Sequence, residues 1–237
     1  MMGYKFFVLF IFLTASCSSP KYKNPHIVIE TKYGDIEVEL YKDQAPKTVA
    51  AFLSYIDSGY YKNASFYRVL RDDEQPSDAP KAELIQGGIW RTNYKLSTAI
   101  PGIPHESTNQ TKILHTDGTI SLARQAPGTG NTEFFICVGD QHGFDYGGAN
   151  NPDGQGYAAF GRVIKGMTIV KSIYNAPETD GDFDPIIYIN RIKKLYCYEQ
   201  LVFFCTMAYY FHRKTKCKAK SNDLPNAFFS YNTHNQH

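Results

Sequence analysis

Tryptophan occurs once in the 237 residues, methionine four times and cysteine five times. No C-x-x-C pair is present, which removes a thioredoxin-like redox motif and the usual zinc spacings. There is no H-E-x-x-H and no G-x-S-x-G, so metalloprotease and α/β-hydrolase chemistry have no footing. Charge of neither sign dominates: 25 Lys and Arg stand against 23 Asp and Glu, a formal net charge of +2. A nucleic-acid binder shows a basic face or stripe. Here the basic cluster is Arg213, Lys214, Lys216, Lys218 and Lys220 near the end of the chain, and nucleic acid is not an expected partner. No apolar run reaches the roughly 20 residues needed to cross a bilayer.

What the chain does contain is the balance of a globular domain, with 43% hydrophobic, 20% charged and 15% aromatic residues. Such a composition can bury a core. The two ends are set apart. Lys5, the apolar run Phe6–Leu13 and the small residues before Cys17 have the form of a secretory signal. Leu13-Thr14-Ala15-Ser16-Cys17 resembles the bacterial lipoprotein cleavage signal, in which the Cys carries the lipid. Residues 1–17 are therefore expected to be a lipoprotein signal peptide and 18–25 a tether. That places the protein outside the cytoplasm on a bacterial membrane, with the outer membrane facing the periplasm as the expected site. Residues 196–237 break the pattern of the chain and are expected to lie outside the fold. Cys137 sits in an apolar strand as a small hydrophobe, and no disulfide is expected in the domain.

Residues 26–195 are expected to form that domain. His26–Thr31 and Ile36–Tyr41 flank Lys32-Tyr33-Gly34-Asp35, a hairpin signal. Pro46 opens a stretch with apolar residues at Val49, Phe52, Leu53 and Ile56, a helical spacing closed by Gly59. Ser65–Leu70, Thr119–Ala123, Glu133–Val138, Ala158–Val163 and Asp184–Ile192 read as strands, and Met167–Ile173 as a second helix. Residues 71–83, with Pro76 and Pro80, read as a loop. Many short strands, two helices and long polar loops point to a mainly β barrel.

Gly147–Gly156 is Gly-rich but precedes a strand and lacks the Lys of a phosphate loop and the carboxylates of a calcium loop. It reads as a structural loop. His105, His115 and His142 lie in separate loops and read as surface or satisfied residues. No metal and no cofactor is expected. Phe134 and Phe135 point to opposite faces of one strand, so at least one belongs to the core. Taken alone, these residues reach a β-rich domain with an apolar site and a lone cation.

In order along the chain, Pro46-Lys47-Thr48-Val49, Ser65-Phe66-Tyr67-Arg68-Val69, Ile85-Gln86-Gly87-Gly88, Gly118-Thr119-Ile120-Ser121-Leu122-Ala123, Thr132-Glu133-Phe134-Phe135-Ile136 and Ala159-Phe160-Gly161-Arg162-Val163 resemble the cyclophilins. The resemblance runs from Gly34 to Ile192. It implies a closed eight-stranded barrel capped by two α-helices and peptidyl-prolyl cis/trans isomerisation of proline-containing polypeptides. Arg68 matches the catalytic Arg. Gln86 matches the residue that supports the bound backbone, and Phe135 the floor of the proline pocket. Ala123 and Arg124 match the segment whose backbone pairs with the peptide. Phe66, Leu84, Glu133, Phe144 and Tyr157 complete the expected binding set.

The sequence departs from the family pattern at Tyr67 (usually His), at Glu133 (usually Gln), at Glu83 and Leu84 (where a pocket Phe is usual), and in a longer loop at 71–83. A non-catalytic proline-peptide-binding module on the same barrel is the rival reading. The sequence gives no sign of an oligomer, and a monomer is expected.

Overall fold

The expected hairpin forms as β1 (His26–Thr31) and β2 (Gly34–Leu40), paired from His26–Glu39 to Thr31–Gly34, in a computed structural model that describes residues 22–72, 75, 78, 80–196 and 218–219. There follow α1 (Pro46–Asp57), β3 (Ser65–Leu70), β4 (Leu84–Gly88), α2 (Tyr94–Ala99), α3 (Thr108–Thr111), β5 (Thr119–Leu122) and β6 (Phe134–Cys137). After these come β7 (Ala158–Lys165), α4 (Met167–Tyr174), β8 (Glu178–Thr179), β9 (Asp182–Tyr196) and β10 (Lys218–Ala219).

Eight strands run in the order β1-β2-β7-β5-β6-β4-β3-β9, and β9 pairs back onto β1. Every one of these pairings is antiparallel. The ring is thereby closed, which leaves these strands no free hydrogen-bonding edge. β8 and β10 pair with β9 outside the ring.

Strand alternation sorts the side chains into two clusters. Ile120, Leu122, Phe134, Ile136 and Ile85 face the barrel interior, where α1 adds Val49 and Phe52 and α4 adds Val170 and Ile173. Phe52 lies at the centre, with ring centroids 5.0 Å from Tyr61, 5.1 Å from Phe160 and 5.7 Å from Phe134. Each such buried side chain contributes about 1.5–3 kcal/mol relative to leaving it exposed. Ala82, Leu84, Phe135, Cys137 and Phe144 form a second, smaller cluster on the outer face of the same wall.

Pro46 opens α1 as the sequence predicts, but the preceding Ala45 offers no side-chain cap. Glu106, remote in sequence, accepts from Lys47 N (3.1 Å), Thr48 N (2.8 Å) and Thr48 Oγ1 (2.7 Å). A carboxylate there satisfies the orphan amides and opposes the positive end of the helix.

α1 and α4 are the two helices expected. The structure adds α2, α3 and a 3-10 turn at His142–Phe144 in segments the sequence presents as irregular. They are too short for a 3.6-residue period to register. β9 also begins at Asp182 and runs on to Tyr196, past the expected end at Ile192. The expected signal peptide with Cys17 lies outside the described residues. So does the segment after Tyr196, except Lys218–Ala219, which pairs with Leu195 and Tyr196.

Candidate active site

Register places the central residues of the site. Arg68 on β3 is opposite Gln86 on β4, Gln86 is opposite Phe135 on β6, and Phe135 is opposite Ser121 on β5. The four form a row across the barrel wall, so side-chain alternation turns Gln86 and Phe135 to one face. β3 needs an extra device. Phe66 pairs with Gly87 and Arg68 with Gln86, leaving Tyr67 as the additional residue of a bulge. A bulge re-aims side chains. Here it brings Tyr67 and Arg68 together to one open cleft of about 730 Å³.

The same bulge corrects one expectation. Phe66 does not line the cleft. It is fully buried in the barrel interior with its ring 5.9 Å from Phe134, and Tyr67 takes the place at the cleft. An alternating strand would send Tyr67 to the opposite face from Arg68. No composition signal marks the bulge.

The floor of the cleft is aromatic. Phe135, Phe144 and Tyr157 pack as a triangle, with centroids 5.2 Å apart for Phe135–Phe144, 5.4 Å for Phe135–Tyr157 and 5.2 Å for Phe144–Tyr157. Leu84 closes one side and Ala123 packs against the cluster. Behind the floor His115 is fully buried and stacks on Phe135 at 5.9 Å. Its Nδ1 is 2.7 Å from Asp145 Oδ1 and its Nε2 is 3.0 Å from Ser121 Oγ. Ser, His and Asp thus stand in the contact order of a hydrolase triad, but Ser121 and His115 are both at 0% exposure and no substrate reaches them. Burial lowers the proton affinity of His115 despite Asp145, and the two His contacts hold the Asp145 carboxyl below its usual range against the effect of burial.

Arginine is plentiful around the cleft but mostly committed. Arg91 pairs with Asp182. Arg124 forms two bonds to Asp153 (2.8 and 2.9 Å) and two to the Gly156 carbonyl (2.9 and 2.5 Å), and lies 5.0 Å over the Tyr157 ring. Its side chain therefore ties the Gly-rich loop to the rim, and the Ala123 N–H is taken by the Glu133 carbonyl at 2.9 Å. Arg68 is exposed, and no described residue forms an ion pair with it.

Glu133 lies beneath the cleft at 8% exposure. Its Oε1 accepts from Ile89 N (3.0 Å), Trp90 N (3.1 Å), Ser97 Oγ (3.2 Å) and Thr132 Oγ1 (3.0 Å), and its Oε2 from Tyr67 Oη (2.9 Å). Tyr67 Oη in turn accepts from Gln86 Nε2 at 2.7 Å. Burial raises the Glu133 carboxyl above its usual range, with these bonds pulling the other way. Burial and then the Glu133 charge raise the Tyr67 hydroxyl.

The two glycines after Gln86 make room for this arrangement. A Cβ on Gly88, whose φ is +150°, would stand 2.3 Å from Glu133 Oε2. One on Gly87 would stand 2.8 Å from the Phe66 ring. The short Q-G-G run is therefore a packing requirement of Phe66 and Glu133 as well as a strand that carries Gln86.

A family model described as cyclophilin type peptidyl-prolyl cis-trans isomerase/CLD matches residues 26–194. A peptidyl-prolyl cis-trans isomerase of Acinetobacter baylyi is 35% identical over 155 residues, covering 65% of this chain and 74% of that protein. Peptidyl-prolyl cis-trans isomerase B of Escherichia coli is 34% identical over 148 residues, covering 62% and 82%. A crystal structure of a cyclophilin type peptidyl-prolyl cis-trans isomerase from Cryptosporidium parvum matches with a TM-score of 0.56 at 23% identity, over 71% of this chain and 96% of that one. The structure of that protein in the presence of the dipeptide Ala-Pro matches with a TM-score of 0.55 at 24% identity, over 70% and 96%.

Proposed function

The chain belongs to the cyclophilin-type peptidyl-prolyl cis-trans isomerase family and is an enzyme of that isomerase class; from this premise we propose that Arg68 drives the rotation by binding the twisted X-Pro amide over the apolar floor at Phe135. The observation that carries the proposal is an exposed guanidinium, unpaired among the described residues, in register across β4 with the buried aromatic floor. The Ala-Pro dipeptide named with the Cryptosporidium parvum structure supports a proline-containing ligand.

The physics asks for little else. Rotation about a peptide C–N bond meets a barrier of about 18–20 kcal/mol because resonance is lost. The two planar forms of an X-Pro bond differ by only about 0.5–1 kcal/mol, so speed is the difficulty. No bond is made or broken, and the enzyme has only to bind the twisted amide better than either planar form. In the twisted form the proline nitrogen regains its lone pair and accepts a hydrogen bond. A guanidinium stays charged and donates in a fixed fork, which suits that nitrogen. Phe135, Phe144, Leu84 and Tyr157 hold the ring and exclude water, which strengthens the Arg68 contact.

The substrates we assign are proline-containing segments of secreted or outer-membrane proteins during folding, met by an enzyme held on a membrane through lipid on Cys17. The support is the Leu13–Cys17 pattern and the apolar run before it. Incorporation of labelled palmitate that disappears in Cys17→Ser is the expected result, and equal labelling of both chains removes the anchor.

The test of the mechanism is exchange NMR on a short X-Pro peptide. Arg68→Ala is expected to lose about 10²–10³ in kcat/KM, the scale of one well-placed charged donor, with an unchanged melting temperature. Loss of cooperative unfolding together with activity would make Arg68 a structural residue. No acceleration by the folded wild-type protein would leave a proline-peptide-binding module.

A further inference from the structure

Donor and acceptor counting around Glu133 fixes more than its own position. Oε1 faces two backbone N–H groups, which can only donate, and two hydroxyls. A carboxylate only accepts, so at Oε2 the Tyr67 hydroxyl must donate. Its proton is then spent, and toward Gln86 it can only accept. Gln86 must present its NH₂ to Tyr67 and keep its carbonyl Oε1 for the cleft that it lines.

We propose that Glu133 and Tyr67 are positioning residues that set the polarity of the Gln86 amide, so that the cleft offers a hydrogen-bond acceptor to a backbone N–H of the substrate beside the proline. The inference rests on the isomerase reading of the cleft and adds a preference to it: polypeptides with a free N–H at that position. The residue types matter at each step. An Ala at 133 would remove the charge that orients Tyr67. A Phe at 67 would remove the link and free the Gln86 amide to turn.

Glu133→Gln keeps every heavy-atom position and reverses the chain. The four donors around Oε1 require the amide oxygen there, so the new NH₂ faces Tyr67 and donates to it. Tyr67 then donates onward, and Gln86 turns its NH₂ to the cleft.

The experiment measures kcat and KM by exchange NMR on an X-Pro peptide and two depsipeptide analogues. In one analogue oxygen replaces the N–H of the residue before proline, and in the other the N–H of the residue after it. With the full wild-type chain, at least one analogue is expected to lose about tenfold in kcat/KM, mainly through KM, the scale of one hydrogen bond. In Glu133→Gln that loss shrinks to within about twofold. Equal discrimination by wild type and variant overturns the inference. If Glu133→Gln does not fold, Tyr67→Phe gives the same readout, since it cuts the chain beside the cleft, and Tyr67→His restores discrimination because one ring nitrogen donates while the other accepts. A wild-type chain inactive on the plain peptide would sink the isomerase mechanism itself, whereas an active chain blind to the N–H sinks only the Gln86 polarity.

Discussion

Phe134 and Phe135 are neighbours in the chain and lie in two different environments. Phe134 points into the barrel, fully buried among Phe52, Tyr61 and Phe66, with ring centroids 5.7–6.1 Å away in edge-on contact. Phe135 points outward onto a wall where apolar rings stand beside His115, Tyr157 and the buried Glu133 below the cleft. The interior asks only for apolar volume in low-strain rotamers. The outer wall asks for particular atoms at particular points, because its groups must satisfy one another and leave Arg68 and Gln86 toward the cleft. One strand therefore carries a stability residue and a site residue side by side.

The largest effect expected from this contrast comes from truncating each ring in turn. Phe134→Ala should cost about 3–5 kcal/mol of stability, the range for emptying a packed aromatic site. The isomerase activity per folded molecule should stay within about twofold of wild type. Phe135→Ala should cost less stability, about 1–3 kcal/mol, since one side of its ring borders an open cleft, and should lower kcat/KM about tenfold or more. Urea melts and exchange NMR on the same samples separate the two. Matching stability losses with activity intact in both would show that the outer cluster is core and not floor.

The interior was readable in the sequence, and the outer wall only partly so. The partly alternating, Ile- and Val-rich runs at His26–Thr31 and Ile36–Tyr41 read as β1 and β2, and the spacing of Val49, Phe52, Leu53 and Ile56 reads as α1, because burial on one face imposes a repeat. The order of short motifs carried Arg68, Gln86 and Phe135 through the family resemblance. The inward place of Phe66 is not legible in the sequence, because a bulge has no compositional signature; only the pairing of Phe66 with Gly87 and Arg68 with Gln86 exposes it. The capping of α1 by Glu106 and the Asp145–His115 contact join residues far apart in sequence. No local pattern contains such partners. Tyr67 and Glu133 were visible as departures from the family, but the bond between them is a fact of packing.

A pH series sharpens the contrast. Burial holds the proton affinity of His115 below that of a free imidazole, which titrates near 6.5 in an unfolded chain. As pH falls through about 6.5, the unfolded state takes up a proton that the folded state refuses, so the stability contributed by the neutral His115 is lost. One such proton limits the slope to about 1.4 kcal/mol per pH unit. Asp145, held below its ordinary range by the two histidines, adds its own loss only further down, below about pH 3.9. His115→Gln is expected to be less stable at pH 7.5 but to lose less stability than wild type between pH 6.5 and 5.5. Phe134→Ala should shift the whole stability curve by a constant amount. A wild-type slope retained in His115→Gln would assign the titration elsewhere.

The smallest effect uses one substitution on both faces. Tyr61 is 2% exposed in the interior cluster, and its hydroxyl has no hydrogen-bond partner among the described residues. Its ring lies 5.0 Å from Phe52 and 6.1 Å from Phe134. An unpaired buried hydroxyl carries a desolvation cost of about 1–3 kcal/mol, and Tyr61→Phe removes it at the expense of a void of one oxygen. The two terms largely offset, so stability should move by no more than about 1 kcal/mol, upward if at all, with kcat/KM unchanged. Tyr67→Phe deletes the same atom from the outer wall, where it bridges Gln86 and Glu133. There it strands the Glu133 Oε2 in a buried site, and a loss of about 1–3 kcal/mol is expected. Opposite signs from one chemical change would place the difference in the environment and not in tyrosine. A loss above about 1 kcal/mol for Tyr61→Phe would mean that its hydroxyl is bonded after all, and that the barrel interior holds water beside Phe52.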